Sequence, residues 1–323
     1  MQRLGSIDEL PRGLRFVATV GVFDGVHRGH CRLLRAATSA ARRLDAKTVV
    51  VTFDPHPDTV LRGRPPALLC DLDERLARLD RAGVDLTVVQ PFDRAFSELS
   101  AEEFVDRLAG GRDLAALAMT SESGFGHRRA GTVATLEEAG RRRGFELVRV
   151  DPVSLGGARV SSSRIRELVG QGRFAEARRN LGRAHAVRGE VVHGDGRGRA
   201  LGFPTANLAF EDPVALPSNG IYAVLASWGG PNPLDPARRE LGVASLGVRP
   251  TFGPGDRVLE VYLLDFDELI YGERLRVSFV RRQRGERRFS GPPALIRQMG
   301  LDAERARTVL AHSGPLAASE QPC

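Results

Sequence analysis

The chain has 323 residues, 42% apolar and 27% charged, a composition that suits a globular protein with room for two cored domains. No apolar run approaches membrane-spanning length, and Met1 to Arg12 lacks the apolar core of a secretory signal, so a cytoplasmic protein is expected. The net charge of +7 comes from arginines interleaved with carboxylates (Lys47 is the lone lysine); the densest run, Arg281 to Arg288, has no stacking aromatics, and no nucleic-acid partner is expected.

Phe16 to Val20 reads as a buried strand and Cys31 to Leu44 as a helix. Lys47 to Phe53 and Val84 to Gln90 are strand-like, and Leu72 to Ala82 is helical between them. Ala101 to Leu108 is a helix after a Ser100 cap, with Glu103 in the capping-box position. Leu114 to Met119, the helix Val133 to Arg143 ending near Gly144, and Phe145 to Val150 continue the alternation, which predicts a parallel sheet wrapped by helices. Ser161 to Val169 and Phe174 to Leu181 close this part as helices.

After Gly182 the texture changes. Ala186 to His193, Ile221 to Ser227, Arg239 to Leu246, Val258 to Phe266 and Leu275 to Arg282 are short strand-like runs separated by Gly and Pro clusters, the pattern of a small antiparallel barrel. Pro293 to Met299 and Asp302 to Leu310 are expected as two last helices, and Ala311 to Cys323 as a frayed tail. Cys31, Cys70 and Cys323 are few and far apart, which suggests neither a disulfide framework nor a zinc site, and Cys31 reads as a packed residue on a first helical turn.

The segment Gly21-Val22-Phe23-Asp24-Gly25-Val26-His27-Arg28-Gly29-His30 falls at a strand-to-helix turn, where free N–H groups and the helix dipole favour phosphate. Gly21, Gly25 and Gly29 let the backbone approach a ligand, and His27 and His30 can donate to phosphoryl oxygens. A zinc-protease helix would need His-Glu-x-x-His and a dinucleotide turn Gly-x-Gly-x-x-Gly; both are absent. In Thr52-Phe53-Asp54-Pro55-His56-Pro57 two prolines hold His56 near a strand end, as a turn residue or a contact to the same ligand. Ser161, Ser162 and Arg164 open a helix with hydroxyls for its free N–H groups and a guanidinium that can pair with a triphosphate.

In the second half, Gly194, Gly196 and Gly202 make a flexible loop that runs into Pro204-Thr205-Ala206-Asn207. Thr205 and Asn207, at i, i+2 on an extended segment, point to one side and offer hard oxygens suited to Mg²⁺ and phosphate; a plain hairpin turn is the alternative. Glu260 sits in an otherwise apolar strand, on the same face as Tyr262 and Leu264. A carboxylate inside a barrel is costly unless paired or working, and a general base is the working option; an outward, solvated glutamate is the bland one.

Together these motifs resemble, from about Arg15 to about Leu310, the bacterial bifunctional riboflavin kinase/FMN adenylyltransferases (FAD synthetases). Arg249-Pro250-Thr251-Phe252 and the run from Glu260 to Tyr271-Gly272 belong to the same resemblance. It implies a Rossmann-like α/β nucleotidyltransferase domain over residues 1–183, then a β-barrel riboflavin kinase domain with a C-terminal helix over 184–310. Riboflavin and ATP would give FMN in the barrel, with Glu260 as base and Thr205 and Asn207 holding Mg-ATP. FMN and a second ATP would give FAD and pyrophosphate in the first domain, with His27 and His30 stabilising phosphate charge. Gly21, Phe23, Asp24, Gly25, Gly29, His56, Ser161, Ser162 and Arg164 would contact nucleotide there, and Gly194, Gly196, Gly202 and Pro204 in the barrel.

Thr120 to Gly131 departs from the family's Gly-x-Asp-Phe-x-Phe-Gly-x-x-Arg-x-Gly: Glu122 replaces an aspartate and Ser123 an aromatic, leaving Glu122 and Phe125 as the expected flavin contacts. Gly182-Arg183-Ala184-His185 also differs from the usual Gly-Arg-Pro-Tyr/Phe. A kinase with a degenerate adenylyltransferase domain, or a non-catalytic flavin or nucleotide sensor, stays open at this level.

Overall fold

A computed structural model describes residues 1–121, 124, 126–127, 130–248, 257–312 and 323, which fall into two compact units. The first comprises Met1–Pro66, Arg75–Ser162 and Cys323; the second comprises Ala67–Glu74 and the described residues from Ser163 onward.

The first half of the chain runs β1 (Gln2–Leu4), β2 (Arg15–Val20), α1 (Arg28–Arg43), β3 (Lys47–Asp54), α2 (Pro57–Arg62), α3 (Leu72–Arg81), β4 (Leu86–Pro91), α4 (Arg94–Ser97), α5 (Ala101–Ala109), β5 (Asp113–Thr120), α6 (Val133–Arg143) and β6 (Glu146–Val150). A small hairpin follows, β7 (Ser154–Leu155) with β8 (Ala158–Arg159). Six strands pair in the order β1-β4-β3-β2-β5-β6, every pair parallel. The expected parallel sheet is therefore present. Its strands are continuous β-branched and apolar runs because both faces are covered: Val17, Ala18, Val49, Val50 and Val51 are fully buried. The Ser100/Glu103 capping box forms, with Glu103 N–H donating to Ser100 Oγ and Ser100 N–H to Glu103 Oε2.

The second half continues with α7 (Ser162–Gly170), α8 (Phe174–Leu181), β9 (Ala186–Val192), α9 (Arg197–Ala200), β10 (Thr205–Ala209), β11 (Gly220–Trp228), β12 (Arg238–Val248), β13 (Arg257–Leu263), β14 (Arg274–Arg284) and α10 (Pro292–His312). Strands β9 to β14 close into an antiparallel barrel in the order β10-β13-β12-β11-β14-β9. Alternate residues fill its interior: Leu208, Tyr222, Val224, Trp228, Leu246, Leu259, Val261, Leu263, Val277 and Phe279 form one core. The outward residues Ala223 and Val243, with Leu264 just past β13, pack instead on Ala303, Ala306 and Leu310 of α10.

The two last helices expected from the sequence are one. Gly300 lies within α10, where it costs about 1 kcal/mol relative to alanine. Burial of a residue such as Leu310 stabilises by about 1.5–3 kcal/mol, so packing on the barrel outweighs the break. Of the expected tail, Ala311 and His312 belong to α10 and residues 313–322 lie outside the described ones.

Candidate active sites

In the first unit, β2 lies between β3 and β5 and releases the chain at its carboxyl end, the side on which open parallel sheets bind ligands. Phe23 and Val26 take positive φ of 54° and 36°. This region is costly for side-chain-bearing residues, about 1–3 kcal/mol each, and it is held because both residues are 1% exposed. The turn delivers His27 as the N-cap of α1, whose first residue, Arg28, comes three residues before the start expected at Cys31. The His27 Nδ1 accepts the His30 N–H at 3.3 Å, which puts the ring proton on Nε2. The two imidazoles stack with centroids 3.7 Å apart. A Cβ on Gly29 would sit 3.1 Å from the His27 ring, so a larger residue there would press that ring aside by a few tenths of an ångström.

Gly21, Phe23, His27, Gly29, His30, Ser161 and Ser162 line one cleft of about 250 Å³, together with Thr120 and Arg159. Ser162 Oγ donates to the Asp24 carbonyl at 3.0 Å and ties the start of α7 to the turn. Asp24 is buried, and Gly25 supplies a positive φ of 77° in the turn. His56 does not line this cleft: it caps α2, its Nδ1 accepting the Asp58 N–H at 3.1 Å. Arg164 pairs with Glu167 at 2.7 Å one turn along α7. Arg159 was not singled out from the sequence; a guanidinium two residues before the serine run was the available signal. The expected flavin contacts Glu122 and Phe125, with Ser123, lie outside the described residues, as does Arg249-Pro250-Thr251-Phe252. Cys31 corrects the cysteine reading: it is joined to Cys323, with 292 residues of sequence separation, and Cys70 is free and buried.

In the barrel, antiparallel register sets Asn207 directly opposite Glu260 and Thr205 opposite Tyr262. On the other side of β13, Ser245 lies opposite Glu260 and Val243 opposite Tyr262. All six belong to the outward face, since Ala206, Leu208, Leu259, Val261, Ala244 and Leu246 face the core. Glu260 is thus not inside the barrel, nor is it a freely solvated outer glutamate. It is half-buried at the wall between two cavities and lines both.

The first cavity, about 290 Å³, is walled by Gly194, Asp195, Gly196, Arg197, Gly198, Pro204, Thr205 and Asn207, with Phe266 to Tyr271 opposite. A Cβ on Gly194 would collide with the Asn207 amide, so the loop can lie on that side chain only as glycine. Gly202 takes a φ of 82° between α9 and β10 and lines neither cavity. The second cavity, about 390 Å³, has more hydrocarbon side chains in its wall: Leu201, Phe203, Ile221, Val243, Tyr262, Phe289, Leu295 and Met299 line it with Ser245, Glu260, Arg284, Glu286 and Asp302. These residues are spread from Leu201 to Asp302 and leave no local motif, which is why the sequence did not disclose this cavity.

The donor set fits a hard cation. Asn207 is 8% exposed and its Oδ1 is buried with no hydrogen-bond partner among the described residues, a cost that an oxygen-preferring ion removes.

Two family models match successive parts of the chain. One described as FAD synthetase matches residues 12–164, and one described as riboflavin kinase matches residues 181–310. The class is a flavin-nucleotide transferase that carries a kinase barrel. A bifunctional riboflavin kinase/FMN adenylyltransferase of Escherichia coli (strain K12) is 36% identical over 293 residues, 90% of this chain and 91% of that protein. One of the same name from Listeria monocytogenes is 34% identical over 91% of this chain and 92% of that protein. The chain belongs to the bifunctional riboflavin kinase/FMN adenylyltransferase family. A crystal structure described as a macrolide-efflux protein from Streptococcus pneumoniae shares the fold, with a TM-score of 0.82 and 30% identity over 94% of this chain and 98% of that one. Among the described residues no helix is long and apolar enough to cross a membrane.

Proposed function

We propose that residues 184–310 phosphorylate riboflavin with ATP to FMN, and that residues 1–183 adenylylate FMN with a second ATP to FAD and pyrophosphate. The carrying observation is the register of β10 and β13, which places the orphan Asn207 oxygen and the Glu260 carboxylate side by side where two cavities meet. The glycine-lined cavity suits the triphosphate and the hydrocarbon-walled one a flat tricyclic ring, so the ribityl 5′-hydroxyl and the γ-phosphorus come together at Glu260. Glu260 takes the hydroxyl proton as the oxygen attacks in line, and ADP leaves. Thr205 and Asn207 would hold Mg²⁺ there, which supplies neutralisation of triphosphate charge.

In the adenylyltransferase cleft the nucleophile is already an anion, the FMN phosphate, so no base is needed. Its oxygen bonds to the α-phosphorus as the bond to the pyrophosphate oxygen breaks, and His27 and His30 donate to the phosphoryl oxygens on which charge builds. Ser161, Ser162 and Arg159 line the same cleft and hold phosphate oxygens. A cytoplasmic location goes with these substrates.

The purified chain, given riboflavin and Mg-ATP, yields FMN and then FAD on chromatography. FMN that accumulates without FAD, even when FMN is supplied directly, refutes the adenylylation half; absence of FMN from riboflavin refutes the kinase half.

A further inference from the structure

Beside the hydrocarbon-walled cavity sits a charge pair that the chemistry above does not use. Arg284 ends β14 and Asp302 lies two turns beyond Leu295 in α10; their side chains are 8% and 3% exposed. The fork is bidentate: Nε lies 2.9 Å from Oδ2 and 3.1 Å from Oδ1, and Nη2 lies 2.6 Å from Oδ2. Its remaining edge is engaged as well, Nη1 donating to the Gly285 carbonyl at 3.0 Å. Gln298 donates to Asp302 Oδ1 at 2.9 Å from within α10, and the Arg284 guanidinium lies over the Phe289 ring at 5.8 Å.

A buried pair of this kind is a poor source of net stability, because desolvation offsets most of the attraction and apolar substitutes often do as well. Its distinctive property is geometric: a planar fork on a carboxylate fixes both distance and orientation, whereas apolar surfaces can slide. Three walls of the cavity meet at this fork. Ile221, Val243, Ser245, Glu260 and Tyr262 belong to the barrel face; Glu286, Arg287 and Phe289 follow Arg284 directly; Leu295 and Met299 share α10 with Asp302.

We propose that Arg284 and Asp302 are positioning residues, which set the gap between barrel and α10 to the thickness of the flavin ring and so determine riboflavin affinity without entering the transfer step. The proposal rests on the reading of this cavity as the riboflavin site. Asp302→Asn keeps the shape and one hydrogen bond but removes the charge; Arg284→Lys keeps the charge but removes the fork. Each raises the KM for riboflavin by about tenfold or more, as expected for a ring on which the apolar walls no longer close, with the KM for ATP and kcat changed by less than about threefold. The double reversal, Arg284→Asp with Asp302→Arg, recovers part of the loss.

The emission of Trp228, the chain's lone tryptophan and part of the barrel core, reports whether each variant is folded. A folded variant with unchanged riboflavin KM overturns the proposal. A fall in kcat at constant KM does the same, since it signals fewer intact molecules rather than a misplaced ring. If both single variants unfold, the pair is a stability element and the proposal fails on that ground. The underlying site reading fails separately, if wild type does not phosphorylate riboflavin or if Glu260→Gln leaves that reaction intact.

Discussion

Replacement of His185 by phenylalanine removes a pH dependence from the barrel. His185 is 1% exposed, its Nε2 donates to the Ala215 carbonyl at 2.7 Å, and its Nδ1 has no partner among the described residues. Protonation would add a buried N–H with nothing to accept it. Burial, with Arg183 and Arg276 nearby, lowers its pKa from 6.5 to about 4, against the opposing pull of the Ala215 carbonyl and Glu74. Above pH 6.5 the ring is neutral in folded and unfolded chains alike and contributes no pH dependence. As pH falls below 6.5 the unfolded chain binds a proton that the folded one refuses, so stability drops, until the loss levels off below about pH 4. At about 1.4 kcal/mol per pH unit the whole window amounts to about 3 kcal/mol.

His185→Phe lacks this loss but forfeits the Ala215 hydrogen bond, about 1 kcal/mol. It is therefore the less stable protein at pH 8 and the more stable one at pH 5, with the two curves crossing near pH 6, where the proton-linked loss reaches about 1 kcal/mol. Urea titrations followed by Trp228 emission at pH 8, 6.5, 5.5 and 4.5 measure both curves. Parallel pH profiles for wild type and variant would refute the assignment of the proton-linked loss to this ring.

Glu260→Gln cuts FMN formation from riboflavin by about a hundred- to ten-thousandfold, while conversion of supplied FMN to FAD is retained; paired chromatographic assays measure both, and equal loss of the two would contradict separate sites. His30→Ala does the reverse, slowing FAD formation by about a hundredfold or more with the kinase rate unchanged, as expected for loss of one donor to developing phosphate charge. In the absence of reductant the denatured chain titrates a single thiol, Cys70, and after reduction all three cysteines react; three thiols without reduction would disprove the Cys31–Cys323 bond.

Strand and helix identities were legible where local pattern determines them. The β-branched run Lys47 to Phe53, the Ser100/Glu103 box and the stop at Gly144 each carry their cause within a few residues. The start of α1 did not, because a histidine is an uncommon cap and His27 acts through its ring nitrogen. Strand alternation put Glu260 with Tyr262, as found, but a period of two says which residues share a face, not which face is the core. His56 carried a turn signal that the structure uses to cap α2 rather than to line the cleft. The cavity beneath α10 and the Cys31–Cys323 bond depend on residues far apart in the chain, and nothing in local spacing encodes them.

The pairing of Asn207 with Glu260 makes this site intolerant of changes in strand length. One residue inserted between Thr205 and Asn207 would turn the amide into the hydrocarbon interior and an apolar neighbour out toward the glycine-lined cavity. Two would restore its facing but carry it about 6.8 Å along the strand from the carboxylate. A change of length is therefore absorbed without loss of this pairing only in the connections around β10 and β13, whereas within the strands only an exchange of side chains leaves it in place.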